Sequence, residues 1–230
     1  MSTNYESGQL APDAVRRMFD RIAPVYDVMN HVMTVGLDIR WRRRAAEAVV
    51  RTGDRVLDAA CGTGDLAIAD LRAGAGKVTG LDFSPRMLER ARAKHTSIEW
   101  LQGDMLALPF ANETFDAATV GFGIRNVENL ELGLRELRRV LRPGGRLAIL
   151  EITQPRGALR PFYSLWFDRI VPLLGKVLPG GDAYTYLPAS VKRFPTAERL
   201  ADMLREAGFG EVGFKLMGGS IVALHTGRAS

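Results

Sequence analysis

The chain has 230 residues, of which 47% are hydrophobic, and this length predicts one substantial core and a single domain rather than two full ones. One cysteine and three well-separated histidines exclude a disulfide framework and a zinc site of ordinary ligand spacing, and residues 1–13 lack the pattern of a secretory signal, so we expect a cytoplasmic protein without a metal. The net charge of +5 favours an anionic partner, either nucleic acid or acidic lipid.

The N-terminal part and the centre of the chain predict different structures. Two helices are predicted over residues 12–33 and 37–50, where they could pack over the carboxyl edge of a sheet. Residues 55–153 then alternate aliphatic or β-branched runs with amphipathic stretches, which is typical of a parallel sheet covered by helices. The predicted strands, four or five in number, are residues 55–61, 77–83, 98–103, 115–122 and 145–152.

Local capping patterns predict where the helices of this region begin and end. Helices begin near Gly64, Ser84 and Asn129, and at Ser84 a hydroxyl cap is followed by proline at the first helical position. Residues 143–145, Pro-Gly-Gly, indicate that the helix before them ends at Leu141.

The last third of the chain has a different pattern. Residues 158–180 are apolar and aromatic but are interrupted by prolines and charged residues, and the uninterrupted apolar run is too short to cross a bilayer. A helix over residues 197–208 ends at glycine, and two strands, residues 211–217 and 220–226, flank a Gly-Gly turn. We therefore expect an added hairpin that closes the sheet.

The strongest motif is the loop at residues 56–65, Val-Leu-Asp-Ala-Ala-Cys-Gly-Thr-Gly-Asp, where a hydrophobic strand runs into a Gly-x-Gly turn that opens a helix. Glycine lets the backbone approach a ligand closely at such a turn. Asp82 ends the next strand, eighteen residues after Gly64, where its carboxylate can accept hydrogen bonds from both hydroxyls of a ribose. The pattern indicates a bound nucleoside.

The loop alone does not decide which nucleoside is bound, because Gly62, Gly64 and Ala67 also satisfy the Gly-x-Gly-x-x-Ala form of the dinucleotide fingerprint. Asp58 places a carboxylate beneath the loop, where it would repel a pyrophosphate but attract a sulfonium or an amino group. This charge favours S-adenosylmethionine over NAD.

A third acidic residue, Asp104, ends the third strand at the same edge and is followed by the apolar Met105. This pair suits an adenine, with the carboxylate accepting from the amino group. The alternative is that Asp58, Asp82 and Asp104 are only caps or turn residues. Cys61, with no histidine near it in the sequence, is predicted to be a packed small residue rather than a nucleophile.

Two segments outside the loop carry a more specific pattern. Residues 19–27 read Phe-Asp-Arg-Ile-Ala-Pro-Val-Tyr-Asp, and residues 122–127 read Phe-Gly-Ile-Arg-Asn-Val. With the glycine loop they resemble the class I S-adenosylmethionine methyltransferases and, more closely, the demethylmenaquinone and ubiquinone C-methyltransferase family, nearly end to end. The other residues that carry the resemblance are Asn30, Gly36, Trp41-Arg42, 57–65, 80–84, Met87-Leu88, 108–110, 139–146, Tyr184, Tyr186, Leu187, Ser190 and Phe194-Pro195.

The resemblance implies a fold, a methyl donor and an acceptor. The fold is Rossmann-like α/β, with a central, mostly parallel seven-stranded sheet, an antiparallel C-terminal hairpin and helices on both faces. The donor is S-adenosylmethionine, without a metal, and the acceptor is a ring carbon of a prenylated quinol, either demethylmenaquinol or a benzoquinol of the ubiquinone pathway, with menaquinone preferred. The single domain then divides into an N-terminal helical cover, a donor-binding core, an acceptor-side insertion and a C-terminal helix and hairpin, at residues 1–52, 53–153, 154–196 and 197–230.

The predicted donor site combines the loop with the resemblance. The loop contributes Asp58, Gly62 and Gly64. By resemblance, the further donor-binding positions are Thr63, Asp82, Asp104 with Met105, and Gly121. Serine is common in relatives at the position of Gly121, so this chain departs from the pattern there and no side-chain contact is predicted.

The predicted catalytic residues follow the fourth strand. Methyl transfer from a sulfonium is an in-line displacement, and a quinol carbon becomes nucleophilic when the adjacent hydroxyl loses its proton. We expect Arg125 to stabilise the phenolate while a bound water takes the proton, and Asn126 and Tyr26 to orient the ring hydroxyls. The alternative is that Arg125 and Asn126 form a helix-capping and salt-bridging pair.

Two segments allow two interpretations each. Residues 158–180 either line a passage for the prenyl tail or form a cover helix. Residues 41–44, Trp-Arg-Arg-Arg, either contact lipid headgroups or form a solvated helix face, and the second is favoured. Transient contact at the inner face of the cell membrane and a homodimer both remain open.

Three other functions compete with quinol methylation. The donor half of such a fold does not encode the acceptor, so a sterol or polyketide could take the methyl group. The basic balance suggests nucleic acid, but no Asn-Pro-Pro-Tyr tetrapeptide or basic-aromatic tract is present, so no nucleic-acid partner is predicted. A donor-binding regulatory module would bind the nucleoside without turnover.

Overall fold

The computed structural model describes residues 11–154 and 181–230 of the chain. The strands are β1 Arg55–Ala59, β2 Lys77–Asp82, β3 Glu99–Gln102, β4 Phe115–Gly121, β5 Leu141–Ile152, β6 Phe209–Met217 and β7 Val222–Ala229. The described helices are α1 Pro12–Ile22, α2 Tyr26–Thr34, α3 Leu37–Val49, α4 Asp65–Arg72, α5 Pro85–Lys94, α6 Leu130–Val140, α7 Gly181–Arg193 and α8 Ala197–Glu206, with a 3-10 turn at Ile124–Asn126. The segment 158–180 lies outside the described residues. None of the described helices combines the length and the apolar character that a membrane crossing needs.

The strand order confirms the predicted sheet. The seven strands lie in the order β3-β2-β1-β4-β5-β7-β6, with β1 to β5 parallel and β7 antiparallel to both of its neighbours. After β1 the chain builds outward through β2 and β3, and β4 then returns to the other side of β1. In open α/β sheets a ligand binds outside the carboxyl ends of the strands at such a reversal.

Helices cover both faces of the sheet because the strand side chains alternate. On β5, Leu147 and Ile149 join the core beneath α6 and α8, whereas Ala148 and Leu150 join the core beneath α3 and α4. Both sets are buried completely. The sheet is therefore a rigid base, and the loops at the carboxyl ends of its strands are held in fixed positions.

The N-terminal prediction was wrong in two respects. The helix predicted over residues 12–33 is broken into α1 and α2 at Pro24, whose nitrogen carries no hydrogen to continue the helical ladder. The second helix, α3, packs on the face of the sheet through Trp41 and Ala45 rather than over its edge. Only α1 and α2 lie over the carboxyl edge, where Ile22 and Ala23 contact Met87 of α5.

The helix starts follow the predicted caps, but several ends differ from the prediction. The helix predicted over residues 197–208 ends at Glu206, and the hairpin strands are Phe209–Met217 and Val222–Ala229 rather than 211–217 and 220–226. Ser84 accepts a hydrogen bond from the Met87 amide, and Asn129 caps α6 in the same way. However, α6 ends at Val140, one residue before the predicted end, and β5 begins at Leu141 rather than at residue 145. The Pro-Gly-Gly stretch lies inside β5, where the pairing with β4 shifts register and Gly144 adopts a φ of +74°. The residues Pro-Gly-Gly thus form an irregularity within a strand instead of a loop between a helix and a strand.

Candidate active site

A cavity of about 400 Å³ lies at the carboxyl edge of the parallel strands. We call it the donor cavity. Nine of the eleven predicted site residues line it: Tyr26, Asp58, Gly62, Thr63, Asp82, Asp104, Met105, Gly121 and Asn126. Gly64 and Arg125 are not part of its lining. The structure therefore brings together residues that are up to 100 positions apart in the chain.

The two glycines of the loop have different physical roles. Gly62 has a φ of +55°, and a Cβ added there would find no heavy atom closer than Tyr26 Cε1 at 4.0 Å, so this position leaves space on the cavity side. Gly64 has a φ of +86°, and its added Cβ would lie 2.3 Å from the Trp100 ring. Gly64 is thus required by packing against β3 rather than by a ligand, and the sequence-based interpretation missed Trp100.

Asp82 joins the glycine loop to the start of α5. Its Oδ2 accepts a hydrogen bond from the Gly62 amide at 2.8 Å, and its Oδ1 accepts one from the Ser84 amide at 2.9 Å. Burial raises the pKa of Asp82 to about 6, against the opposing effect of these amides. Since an ionised carboxylate can accept about four hydrogen bonds, lone pairs remain for two hydroxyls of a ligand in the cavity.

Asp58 is completely buried beneath the loop. Its Oδ2 has no hydrogen-bond partner among the described residues, and burial raises its pKa against the opposing effects of the Ala67 amide and Arg42. An unpaired buried carboxylate oxygen is costly, and a cation in the adjacent cavity would offset that cost. A cation there would also favour the ionised form of Asp58, so the residues present are compatible with a cationic methyl donor.

Two residues behind Asp58 were not predicted from the sequence. The Thr119 hydroxyl lies 2.7 Å from Asp70 Oδ2 and 3.4 Å from Asp58 Oδ1, and all three side chains are buried. Burial also raises the pKa of Asp70 well above its usual range, and the nearby Asp58 adds to the rise. A hydroxyl has only one proton to donate, and the shorter contact identifies Asp70 as its acceptor. No sequence motif links these residues, which come from three separate elements.

The N-terminal helices are fastened to the loop by polar contacts. The Thr63 hydroxyl donates to Asp27 Oδ1 at 2.5 Å, and Lys94 Nζ lies 2.7 Å from Asp27 and 2.6 Å from Asp65. The Ser84 hydroxyl similarly donates to Asp20, at 2.6 Å. Thr63 therefore lines the cavity, but its hydroxyl proton is already donated to Asp27 of α2.

The remaining donor-side residues combine structural and lining roles. Asp104 is exposed and accepts from the Leu106 amide at 2.8 Å, so it is a turn residue as well as part of the cavity wall. Met105 is buried beside it. A Cβ on Gly121 would lie 2.9 Å from Leu66 Cδ2, so a side chain there would require the leucine to shift. For Asp82 and Asp104 the capping interpretation and the cavity-lining one hold together.

A second cavity, of about 490 Å³, adjoins the first and is mainly apolar. We call it the apolar cavity. It is enclosed by α1, α2, α3 and the turn of the β6–β7 hairpin, with Met18, Ile22, Met29, Met33 and Trp41 among its lining residues. Both cavities share a wall of five residues: Phe19, Tyr26, Arg42, Phe122 and Tyr186. A ligand in one cavity can therefore approach a ligand in the other.

Arg125 lines the apolar cavity, whereas its neighbour Asn126 lines the donor cavity. Arg125 Nη1 lies 2.7 Å from Oε1 of the buried Glu151, so the salt-bridge interpretation describes one real contact. Burial pulls the pKa of Arg125 down, but Glu151 and then Tyr26 outweigh it, and the net shift is upward. Arg125 Nε and Asn126 Oδ1 are buried and have no hydrogen-bond partner among the described side chains and backbone.

Three further predictions can be compared with the structure. Within the segment 41–44, Trp41 and Arg42 are buried, so the solvated-face interpretation is wrong for both, and only Arg43 and Arg44 are exposed. The Arg42 guanidinium forms a salt bridge with Asp38, and its Cζ lies 5.3 Å from the centroid of the Phe122 ring. Cys61 is buried, and burial raises the pKa of its thiol well above the usual range, as expected of a packed residue. No group of three potential metal ligands occurs in the part of the chain that the structure describes.

The sheet order, the acid-ringed cavity at its switch point and the glycine loop define a class I, Rossmann-like methyltransferase. The fold resembles the crystal structure of a SAM-dependent methyltransferase from Thermotoga maritima, titled a possible histamine N-methyltransferase, with a TM-score of 0.68 and 23% identity over 93% of this chain and 99% of that one. At this identity the likeness supports the fold alone.

The sequence comparisons are more specific. The model of the ubiE/COQ5 methyltransferase family matches residues 7–229, and the chain belongs to this family. It is 44% identical to a demethylmenaquinone methyltransferase of Thermus thermophilus, over 91% of this chain and 99% of that one. It is also 40% identical to a ubiquinone/menaquinone biosynthesis C-methyltransferase of Roseobacter denitrificans, over 93% and 89%. The family predicted from residues 19–27, 56–65 and 122–127 is confirmed.

Proposed function

We propose that this chain transfers a methyl group from S-adenosylmethionine to a ring carbon of a prenylated quinol, and that demethylmenaquinol is the acceptor. The observation that carries this proposal is the shared wall between an acid-ringed cavity and an apolar cavity. Asn126 lines the donor cavity, Arg125 lines the apolar cavity, and Tyr26 lines both. The names of the two relatives support the same acceptor class.

In the donor cavity the residues hold a cationic nucleoside. Asp82 accepts from the two ribose hydroxyls, and Asp104 with Met105 takes the adenine. Asp58 attracts the amino group or the sulfonium because its free oxygen has no other partner among the described residues. When bound, S-adenosylmethionine supplies a methyl group on an already activated leaving group, so no covalent enzyme intermediate is needed.

In the apolar cavity the residues prepare the acceptor. Arg125 stabilises the phenolate that forms when a quinol hydroxyl loses its proton to a bound water, because the guanidinium is already protonated and cannot accept it. Once the carbon–sulfur bond has broken and the new carbon–carbon bond has formed, the ring carbon passes its own hydrogen, as a proton through water, to the ring oxygen, and the aromatic quinol is restored. Asn126 and Tyr26 orient the ring through its hydroxyls. Glu151 fixes the guanidinium by the 2.7 Å contact of Nη1, so the positive charge of Arg125 stays at the wall of the apolar cavity. The methionines of the cavity suit an apolar ring and tail.

The second candidate acceptor is a benzoquinol of the ubiquinone pathway, since the Roseobacter relative is named for both quinones. The test incubates the purified chain with isotope-labelled S-adenosylmethionine and either reduced demethylmenaquinone or its benzoquinol counterpart, followed by mass analysis. We expect one labelled methyl group on the naphthoquinol ring. Label on the benzoquinol alone would identify the benzoquinol, and not demethylmenaquinol, as the acceptor. Binding of S-adenosylmethionine without transfer to either quinol would overturn the proposal.

A further inference from the structure

The corner between α2 and α3 exposes an unusual number of aliphatic side chains. Six large apolar side chains are exposed in the described part of the chain, and five of them lie here: Val28 at 65%, Val32 at 67%, Val35 at 87%, Leu37 at 38% and Ile39 at 58%. None of the nine residues of α2 is buried. Contiguous apolar groups on a surface mark contact with a partner or a membrane.

The most exposed of these residues also has an unfavourable backbone. Val35 has a φ of +53°, a left-handed backbone conformation that is rare and unfavourable for a β-branched residue. Gly36 follows in the same left-handed region, with a φ of +72°. The two residues turn the chain sharply between the helices and keep Val35 at the tip of the corner.

Cationic side chains lie next to this apolar tip. Arg40 is one helical turn beyond Leu37, and Arg43 is one turn beyond Ile39, so each lies on the same strip of α3 as an exposed aliphatic residue. Arg40 is exposed and makes no ion pair or hydrogen bond with the described residues, and Arg43 lies 3.6 Å from the exposed Glu47. Such a surface pair is weak. Two guanidinium groups are therefore available to phosphates.

The apolar cavity reaches the same corner. Val35 and Leu37 are exposed at the surface and also belong to the cavity lining, together with Met29 and Met33 on the other side of α2. Apolar surface thus continues from the exterior tip into the cavity. A second copy of the chain fits this corner poorly, because a twofold contact would set the arginines of both copies against each other, and five side chains are few beside the roughly 20–30 residues of a stable interface.

We propose that the α2–α3 corner, residues 28–43, docks on a bilayer that contains anionic lipid. The five aliphatic side chains enter the boundary between headgroups and acyl chains, and Arg40 and Arg43 contact the headgroup phosphates. The docking itself is independent of the reaction. Its use rests on the proposed function, because the corner would hold the opening of the apolar cavity against the acyl region, from which a prenyl tail can enter without crossing water.

The test uses flotation of the full chain with vesicles of phosphatidylcholine, with and without phosphatidylglycerol. The variant Val28→Gln/Val32→Gln/Ile39→Gln removes apolar groups that lie outside the apolar cavity and keeps good helix formers. We expect its partitioning to fall by at least about tenfold. The matched control is Phe214→Gln, which removes the sixth exposed apolar side chain, on β6, and should leave partitioning unchanged.

A second variant, Arg40→Gln/Arg43→Gln, should reduce binding only to the vesicles with phosphatidylglycerol, by about thirtyfold, since each cation near the surface contributes about 1 kcal/mol. Equal vesicle binding of the wild type and the triple variant would overturn the proposal. A dimer that the triple substitution abolishes, seen by sedimentation without vesicle binding, would identify the corner as a contact between copies instead.

Turnover separates this proposal from the reaction. The triple variant should methylate a short-tailed, water-soluble quinol at the wild-type rate and a long-tailed quinol in vesicles at least about fivefold more slowly. If no quinol is methylated but the vesicle results hold, the proposed function fails and the docking surface stands.

Discussion

The two cavities differ in how their walls are built. The donor cavity is formed by strand ends and the loops that follow them, and Asp82 and Asp104 are held by backbone amides. The apolar cavity is formed by three N-terminal helices and a distant hairpin turn, and its polar centre, Arg125, is held by one buried side chain, Glu151. On the proposed function, the sheet would provide a donor site that many reactions could share, and the helical cover would determine the acceptor.

The largest effect should be on the acceptor side. Arg125→Lys keeps a positive charge but replaces the planar guanidinium that Glu151 holds in place, so we expect kcat to fall by about 10²–10³-fold while the Kd of S-adenosylmethionine stays within about twofold. Steady-state kinetics measures kcat, and isothermal calorimetry measures the Kd of S-adenosylmethionine. The same exchange at Arg139, which pairs with Glu136 and lines neither cavity, serves as the control. Unchanged turnover in Arg125→Lys would remove Arg125 from the reaction.

The next effect tests the donor side alone. Asp82→Ala removes the acceptor of the Gly62 amide and of the proposed ribose hydroxyls, so the Kd of S-adenosylhomocysteine should rise by about 10²-fold. Isothermal calorimetry measures it, and circular dichroism reports whether the fold is kept. Asp116→Asn changes a carboxylate near the start of β4, at the opposite edge of the sheet, and should leave the Kd unchanged. Similar losses in both variants would show a global effect rather than a lost contact.

The third effect separates the two loop glycines. Gly64→Ala forces a methyl group toward the Trp100 ring and fixes an unfavourable φ, so the free energy of unfolding should fall by about 2–4 kcal/mol. Gly62→Ala meets open space and should lose only about 1–2 kcal/mol, from its φ alone. Urea unfolding of both variants decides this, and a larger loss in Gly62→Ala would contradict the packing role of Trp100.

The smallest effect is a pH dependence of donor binding. Because the pKa of Asp82 is raised to about 6, protonation below that pH removes the acceptor of the ribose hydroxyls, and affinity should fall by up to about tenfold per pH unit. The folded-state pKa exceeds the usual 3.8, so folding takes up a proton between about pH 4 and 6, and this residue's contribution to stability declines as pH rises through that window. Calorimetry from pH 5 to 8 measures the affinity. An affinity that stays constant to pH 5 would remove Asp82 from ribose binding.

The sequence located the lining of the donor cavity better than the arrangement around the apolar cavity, and particular residues show why. Asp82 ends β2, Gly62 and Asp104 follow β1 and β3 by three and two residues, and hydrophobic alternation locates such strand ends. Arg125 and Asn126 were found from the family resemblance, but their division between two cavities was not. The N-terminal helix was predicted as one piece because its hydrophobic pattern continues past Pro24.

The sequence by itself determined what depends on neighbours in the chain: the period of strands and helices, the caps at Ser84 and Asn129, and the loop that requires glycine. Only the tertiary structure decided which distant side chains meet, such as Trp100 beneath Gly64, Thr119 between Asp58 and Asp70, and Glu151 against Arg125. The physical reason is that local patterns follow from backbone sterics and hydrogen bonding within a few residues. Contacts between distant residues exist only after the sheet and its helices have packed.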